Sequence, residues 1–160
     1  MTTADRGKAA SAWLAVLVWI ALITTFSGEG FSKASTTGFL GPLLRWLIPA
    51  AHPETLETIH FAVRKGAHAA EYAVLALLAF HALRWSFDLA FRRSAGLALA
   101  IVLAVGSADE ANQARLATRT GSPWDVALDL AGGVAALGGL LALRRRRGGG
   151  SVSPPAASSR

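Results

Sequence analysis

Four long apolar segments constrain the fold of this chain most. They lie at residues 11–26, 60–83, 94–113 and 124–143. A helix needs about 20 apolar residues to cross the hydrocarbon core of a bilayer, and the four segments reach or approach that length. Because lipid cannot hydrogen-bond to exposed backbone groups, helix is the expected form of each segment. The sequence therefore predicts an all-α polytopic membrane protein, a bundle of four transmembrane helices.

The composition agrees with a membrane protein. Hydrophobic residues make up 52% of the chain and charged residues only 16%, whereas charged residues are about 25% of an average soluble domain. The chain has no cysteine, which excludes disulfides and thiolate metal sites. No small-residue cleavage motif follows the first apolar segment, so we expect that segment to be a retained helix. The sequence shows no nucleic-acid-binding motif and indicates no cofactor.

The basic residues predict the orientation of the bundle, because cytoplasmic flanks of membrane helices are enriched in Lys and Arg. The richest flank is the run Arg144–Arg147, directly after the last apolar segment. If this run lies on the cytoplasmic side, a chain with four spans has both termini in the cytoplasm. We therefore expect a cytoplasmic N-terminus at residues 1–10, a membrane domain at 11–147 and a disordered cytoplasmic tail at 148–160, where Gly, Ser and Pro dominate.

The longest connection, residues 27–59, contains the short apolar stretch FLGPLLRWLIP. The stretch is too short to cross a bilayer and carries one arginine. We expect it to form a helix that lies at the membrane interface or folds back onto the bundle.

Polar side chains interrupt three of the apolar segments at their predicted extracytoplasmic ends. At 100° per residue, the polar residues of each segment fall on one helix face. Charged groups at this depth are costly unless they meet one another or water, and they suggest a functional site by default. If the three faces turn toward one another, they line a polar pocket near the outer surface, which a loop arginine could complete. The candidate pocket residues are Lys65, His68, Glu71, Tyr72, Asp109, Glu110, Gln113, Arg119, Asp125 and Asp129.

The start of the fourth segment carries helix-start signals. Ser122 is a candidate N-cap, Pro123 suits the first helical position, and Asp125 stands where a capping box places an acid. Further along, Gly132 and Gly133 allow another helix to approach closely. The positive dipole ends of the second and fourth helices would point at the pocket and favour bound anions.

Two stretches of the chain resemble a known family. RKGAHAAEYAVLALL and SADEANQARLATRTGSPWDVALDLAGG are similar to the VanZ-like proteins, which are small bacterial membrane proteins. Their pattern combines a Lys-x-x-His-x-x-x-Tyr helix, an Asp-Glu-x-x-Gln segment, an arginine, and a Ser-x-x-Asp helix ending in glycine. The resemblance covers roughly residues 12–143. One departure is Asp129, where the family pattern more often has asparagine, so the pocket here would be more acidic.

The resemblance implies a location in the bacterial cytoplasmic membrane and a loose link to the cell envelope. The family is named for a protein associated with resistance to the glycopeptide antibiotic teicoplanin. The resemblance implies no settled biochemical activity, and it does not assign antibiotic resistance to this chain.

Several functions remain open from the sequence. The pocket could bind a lipid-linked envelope precursor, such as a polyprenyl phosphate, or a glycopeptide-like amphiphile. It could instead be the active site of a metal-assisted hydrolase that acts on a lipid phosphate. His68, Glu71 and Asp109 are weak candidates for the metal ligands. The polar groups could also be purely structural, or serve a transporter or proton relay. Membrane lipids are the expected partners, and the oligomeric state stays open.

Overall fold

The computed structural model describes residues 3–27, 33–115 and 122–148 of the chain. These residues are mostly helical, and no strand occurs among them. The elements in chain order are α1 (Thr3–Phe26), α2 (Lys33–Leu47), α3 (Pro53–Phe87), α4 (Phe91–Gln113) and α5 (Pro123–Gly148).

Four of these helices, α1, α3, α4 and α5, are long and apolar enough to cross a membrane. This confirms the predicted all-α bundle with four membrane spans. Their bounds extend beyond the apolar segments, because a helix continues past the lipid core until a local signal ends it. The clearest case is α3, whose 35 residues span about 52 Å, well above the ~30 Å of a bilayer core.

The ends of α3 show such signals. Pro53 occupies the first turn, where its missing N–H is tolerated. At the other end, Asp88 adopts the left-handed conformation with φ 44° and its backbone N–H donates to the Arg84 carbonyl. A left-handed residue that donates back into the last turn is a common way to end a helix.

The predicted short helix in the long connection is present as part of α2. It begins earlier than the apolar stretch, at Lys33, and it contacts α3. Leu44 is buried, while Trp46 is 77% exposed and Leu47 58% exposed. A helix with one buried leucine and a large exposed aromatic side chain suits the membrane interface, where Trp is enriched.

The centre of the bundle is α3, which packs against α1, α4 and α5. Its inward face combines Tyr72, Leu75 and Phe80 with small residues such as Ala76 and Ala79, all of them buried. Small side chains let helix backbones approach closely, which is how membrane helices gain packing energy. Large apolar side chains on the outside of the bundle, for example on α1, remain exposed, as expected for lipid contact.

The closest approach in the bundle joins α3 and α5 at Gly132. A Cβ atom placed there would collide with the Ala69 carbonyl oxygen and lie 3.0 Å from the Ala69 carbonyl carbon. At the adjacent Gly133, a Cβ would lie 3.2 Å from Leu99 and 3.3 Å from Ala76. The predicted role of these two glycines in close helix approach is therefore confirmed, and α5 is held tightly against α3.

Candidate polar binding site

The polar residues of three helices meet at one end of the bundle, where α4 ends and α5 begins; we call it the polar end. The opposite end, which carries Arg93 and Arg144, is called the basic end. Counting along the helices from those arginines, Asp109 lies ~24 Å and Asp129 ~22 Å away. Both fall short of the ~30 Å that separates the two edges of the hydrocarbon core. If those arginines mark one edge of the lipid core, both carboxylates lie within the thickness of the core.

Asp109 is the most connected carboxylate at the polar end. It is 3% exposed. Its Oδ2 atom accepts a hydrogen bond from the Ser27 hydroxyl at 2.7 Å and another from the Gln113 amide at 2.8 Å. Its second oxygen, Oδ1, is buried and has no hydrogen-bond partner among the described residues. Asp109 thus links the end of α1 to α4 and keeps one acceptor unused.

Tyr72 and Asp129 meet over a glycine of α4. A Cβ atom at Gly106 would lie 3.5 Å from Asp129 Oδ2 and 3.6 Å from the Tyr72 ring, so the missing side chain makes room for both groups. Tyr72 is fully buried and Asp129 is 2% exposed. The Tyr72 hydroxyl and Asp129 Oδ1 have no hydrogen-bond partner within the described parts of the chain.

Glu110 holds the start of α5. Its Oε2 atom accepts a hydrogen bond of 2.7 Å from the backbone N–H of Ser122, and Glu110 is 7% exposed. The Ser122 hydroxyl accepts a 3.3 Å hydrogen bond from the backbone N–H of Trp124, as the side chain of an N-cap residue does. The N-cap prediction for Ser122 agrees with this contact. The capping box predicted that Asp125 accepts the Ser122 backbone N–H. The acceptor is instead Glu110 of α4.

Asp125 instead forms an ion pair with Lys65 of α3. The two side chains are 20% and 22% exposed, so the pair lies at the rim of the site. The Lys65 ammonium also lies 5.4 Å from the centre of the Phe61 ring, within the range of a cation–π contact. These contacts hold Lys65 beside Asp125 at the rim of the site.

His68 and Glu71 lie one turn apart on α3, as predicted, with 3.9 Å between His68 Nδ1 and Glu71 Oε2. Both side chains are partly buried, at 19% and 25% exposure. The backbone carbonyl of Glu71 accepts a 2.8 Å hydrogen bond from the Trp19 indole. This bond ties α1 to α3 beside the acidic residues.

The structure thus brings together most of the residues that the sequence predicted for the pocket. They converge from α3, α4 and α5 on the polar end, while Arg119 lies outside the described residues. We call the following residues the acidic cluster: the partly buried Glu71 and the buried Tyr72, Asp109, Glu110 and Asp129.

The chemistry of the acidic cluster follows from its charge and its unused acceptors. Glu71, Asp109, Glu110 and Asp129 bring four carboxylates together, and the nearby Lys65 is paired with Asp125. Two carboxylate oxygens and one hydroxyl are buried without a partner in the described region. Buried polar atoms are almost always hydrogen-bonded, so the arrangement suits a partner that donates hydrogen bonds.

The metal candidates gain no support from the geometry. Within residues 3–27, 33–115 and 122–148, no group of three or more His, Asp or Glu side chains is arranged to hold a metal ion. His68, Glu71 and Asp109 therefore do not form a ligand set in this arrangement.

Comparison with known families decides the relationship. The VanZ/LLP1 family model matches residues 12–144, a range that includes most of α1, all of α2, α3 and α4, and most of α5. The chain belongs to the VanZ/LLP1 family. No curated protein and no solved structure matched the chain. Family membership together with the four apolar helices makes this a VanZ-like, multi-pass membrane protein.

Some residues that build this VanZ-like site were missed by the sequence analysis. Ser27 follows α1 directly and was placed in a connecting loop, yet it hydrogen-bonds to Asp109. Trp19 lies in the first apolar segment, where no polar neighbour marks it, yet its indole N–H donates a hydrogen bond to the Glu71 carbonyl. Gly106, within the apolar part of α4, carried a usable signal, since small residues in membrane helices mark places where another group approaches closely.

Proposed function

We propose that this VanZ-like protein binds the polar head of a cell-envelope amphiphile at the acidic cluster, on the extracytoplasmic side of the bacterial cytoplasmic membrane. The ligand class comprises lipid-linked envelope precursors and glycopeptide-like amphiphiles. A role in envelope function or in teicoplanin-type resistance would follow from such binding. The proposal rests on the family, the depth of the polar end in the membrane and the unused acceptors of the cluster.

The observation that carries the proposal is a set of three buried oxygens of the acidic cluster without hydrogen-bond partners among the described residues. Tyr72 OH, Asp109 Oδ1 and Asp129 Oδ1 are buried and lack partners among the described residues. An unsatisfied buried polar group costs about 1–3 kcal/mol. A purely structural cluster gains nothing from that cost, whereas a binding site recovers it when a ligand supplies the missing hydrogen bonds.

The charges indicate which part of the ligand goes where. Hydroxyl and ammonium groups donate hydrogen bonds, so sugar or amino-sugar groups suit the buried carboxylates. A phosphate suits the rim, where Lys65, Arg64 and Arg115 supply positive charge at the polar ends of α3 and α4. An amphiphile with both groups, such as a polyprenyl-phosphate-linked saccharide, matches both parts. A bare phosphate matches only the rim.

The competing structural interpretation has its own support. Asp109 accepts a hydrogen bond from Ser27, which follows α1, and Glu110 accepts one from Ser122, which precedes α5. Tyr72 separates the two interpretations. Its hydroxyl has no partner in the described region, so Tyr72→Phe removes no hydrogen bond within that region. The substitution spares the fold under either interpretation and removes one donor–acceptor group from the proposed site.

The test measures ligand binding by the purified full chain in detergent. Thermal stability and native mass spectra are recorded with a polyprenyl phosphate, a polyprenyl-diphosphate-linked saccharide and teicoplanin, each with and without Mg²⁺. A ligand that binds only the folded state raises the unfolding temperature. We expect stabilisation by the saccharide-linked lipid or by teicoplanin, and about tenfold weaker binding in Tyr72→Phe, as the loss of ~1.4 kcal/mol gives.

The matched control is Glu57→Gln, which removes an exposed carboxylate of α3 away from the cluster and should bind like the wild type. Absence of stabilisation by every ligand would refute the proposal, as would unchanged affinity in Tyr72→Phe. Stabilisation that appears only with Mg²⁺ would favour the hydrolase alternative.

A further inference from the structure

The basic end of the bundle contains a second polar feature that is separate from the acidic cluster. A pocket with a volume of about 410 Å³ lies between the start of α1 and the end of α3. That volume is within the range of ~300–1,000 Å³ for small-ligand sites. The lining side chains that carry charge or an exposed ring are Asp5, Lys8, Arg84, Trp85, Phe87 and Asp88.

The walls of the pocket are fixed by hydrogen bonds. The Trp13 indole of α1 donates to the Ser86 hydroxyl of α3 at 2.9 Å, which holds the two helices together beside the pocket. Arg84 donates from one guanidinium nitrogen to the Leu89 carbonyl. A guanidinium has five N–H donors, so this bond fixes the side chain and leaves donors for another acceptor.

The residues in and beside the pocket are of the kinds found at the level of the lipid head groups. Trp85 is 51% exposed and Phe87 63% exposed, and aromatic side chains of this kind gather at membrane interfaces. The basic residues Arg92 and Arg93 follow in the next turn of chain. A pocket at this depth meets phospholipid head groups at high local concentration, whereas soluble molecules reach it only from one side.

The charges of the pocket are balanced. Lys8 and Arg84 supply two positive charges, and Asp5 and Asp88 supply two negative ones. An anionic head group would leave the carboxylates facing negative charge. A head group that carries both a phosphate and an ammonium matches both pairs, with the phosphate near the basic side chains and the ammonium near the acidic ones.

We propose that the basic-end pocket binds the zwitterionic head group of an aminophospholipid, a membrane lipid with a phosphate and a primary ammonium. The primary ammonium matters because its three N–H groups can donate to Asp5 and Asp88. A quaternary ammonium of the same charge has no donor. The site is independent of the ligand proposed for the acidic cluster.

The experiment compares three phospholipids with identical acyl chains: phosphatidylethanolamine, phosphatidylcholine and phosphatidylglycerol. Each is titrated into the purified full chain, and bound lipid is quantified by native mass spectrometry with thermal stability as a second readout. We expect phosphatidylethanolamine to bind about fivefold more tightly than either other lipid, the ratio that a contact worth ~1 kcal/mol gives.

Two variants assign the lipid to the pocket. Asp88→Asn keeps a residue that tolerates the left-handed backbone and removes the charge, and Lys8→Gln removes a cation from an exposed position of α1. Each should weaken phosphatidylethanolamine binding about fivefold. Glu57→Gln, at the other end of α3, is the matched control and should change nothing.

The wild-type comparison stands even if a variant folds poorly. Equal binding of phosphatidylcholine would overturn the assignment of the ammonium to the carboxylates. Tightest binding of phosphatidylglycerol would show an anionic-lipid surface instead of a zwitterion site. Preference for phosphatidylethanolamine that survives both substitutions would place the lipid elsewhere on the protein.

Discussion

Glu110 is the residue whose role the structure changes most. The sequence placed it in a pocket wall, and the structure gives it the Ser122 N–H as a partner at 2.7 Å. A hydrogen bond to a charged acceptor contributes about 1.5–3 kcal/mol. Because removing the carboxylate also removes the cost of burying it, we expect Glu110→Ala to lower the free energy of unfolding by about 1–2 kcal/mol. Thermal unfolding of the purified protein measures the loss.

Glu110→Gln provides the matched comparison, because its amide oxygen can still accept the Ser122 N–H. It should lose less stability than Glu110→Ala. If both variants unfold at the wild-type temperature, Glu110 does not hold the start of α5, and its burial needs another explanation.

At the residue scale, sequence patterns identified which polar side chains lie on the same helix face. They did not identify the hydrogen-bond or ion-pair partner of each side chain. Helical periodicity placed Asp109, Glu110 and Gln113 on one face, and that face is buried. The choice between Asp125 and Glu110 as the acid for Ser122 depends on how α4 and α5 are placed against each other. That placement depends on contacts distant in sequence, which local spacing does not contain.

Gly132 tests how tightly the helices themselves must pack. A Cβ there collides with the backbone of Ala69, and a backbone atom cannot move aside as a flexible side chain can. Gly132→Ala must therefore push α5 away from α3, with a cost in the range of about 1–3 kcal/mol for overpacking. We expect a lower unfolding temperature and weaker ligand binding at the acidic cluster, because Asp125 and Asp129 move with α5.

Gly138 is the control on the same helix, since a Cβ there meets no other atom within 4 Å. Gly138→Ala should leave stability unchanged or raise it by up to ~1 kcal/mol through helix propensity. If the two alanine variants behave alike, the contact between α5 and the Ala69 backbone does not limit stability.

At the scale of elements, hydrophobic segments predicted the four spans because apolar length alone decides which segments can cross lipid. The bounds were less predictable. The first turns of α3, from Pro53 to Ile59, carry no membrane signal, so the sequence predicts them as part of the connecting loop. The early start of α2 was missed for the same reason, because Lys33–Gly38 has the small, polar composition of a loop.

The orientation of the whole molecule links both proposed sites to a side of the membrane. The basic end carries Arg84, Arg92, Arg93 and the Arg144–Arg147 run. The enrichment of Lys and Arg on cytoplasmic flanks predicts that this end faces the cytoplasm. The acidic cluster then faces outward, where envelope precursors and glycopeptides are found, and the basic-end pocket meets lipids of the inner leaflet.

Single cysteines can test this orientation directly, because the chain has none of its own. Ala50 and Ala90 are exposed and lie just outside the two ends of α3. With a membrane-impermeant maleimide on intact cells, Ala50→Cys should react, and Ala90→Cys should react only after the membrane is opened. The reverse pattern would put the acidic cluster on the cytoplasmic side. A ligand assembled outside the cell could then not reach it, and the proposed binding function would have to be redirected to a cytoplasmic precursor.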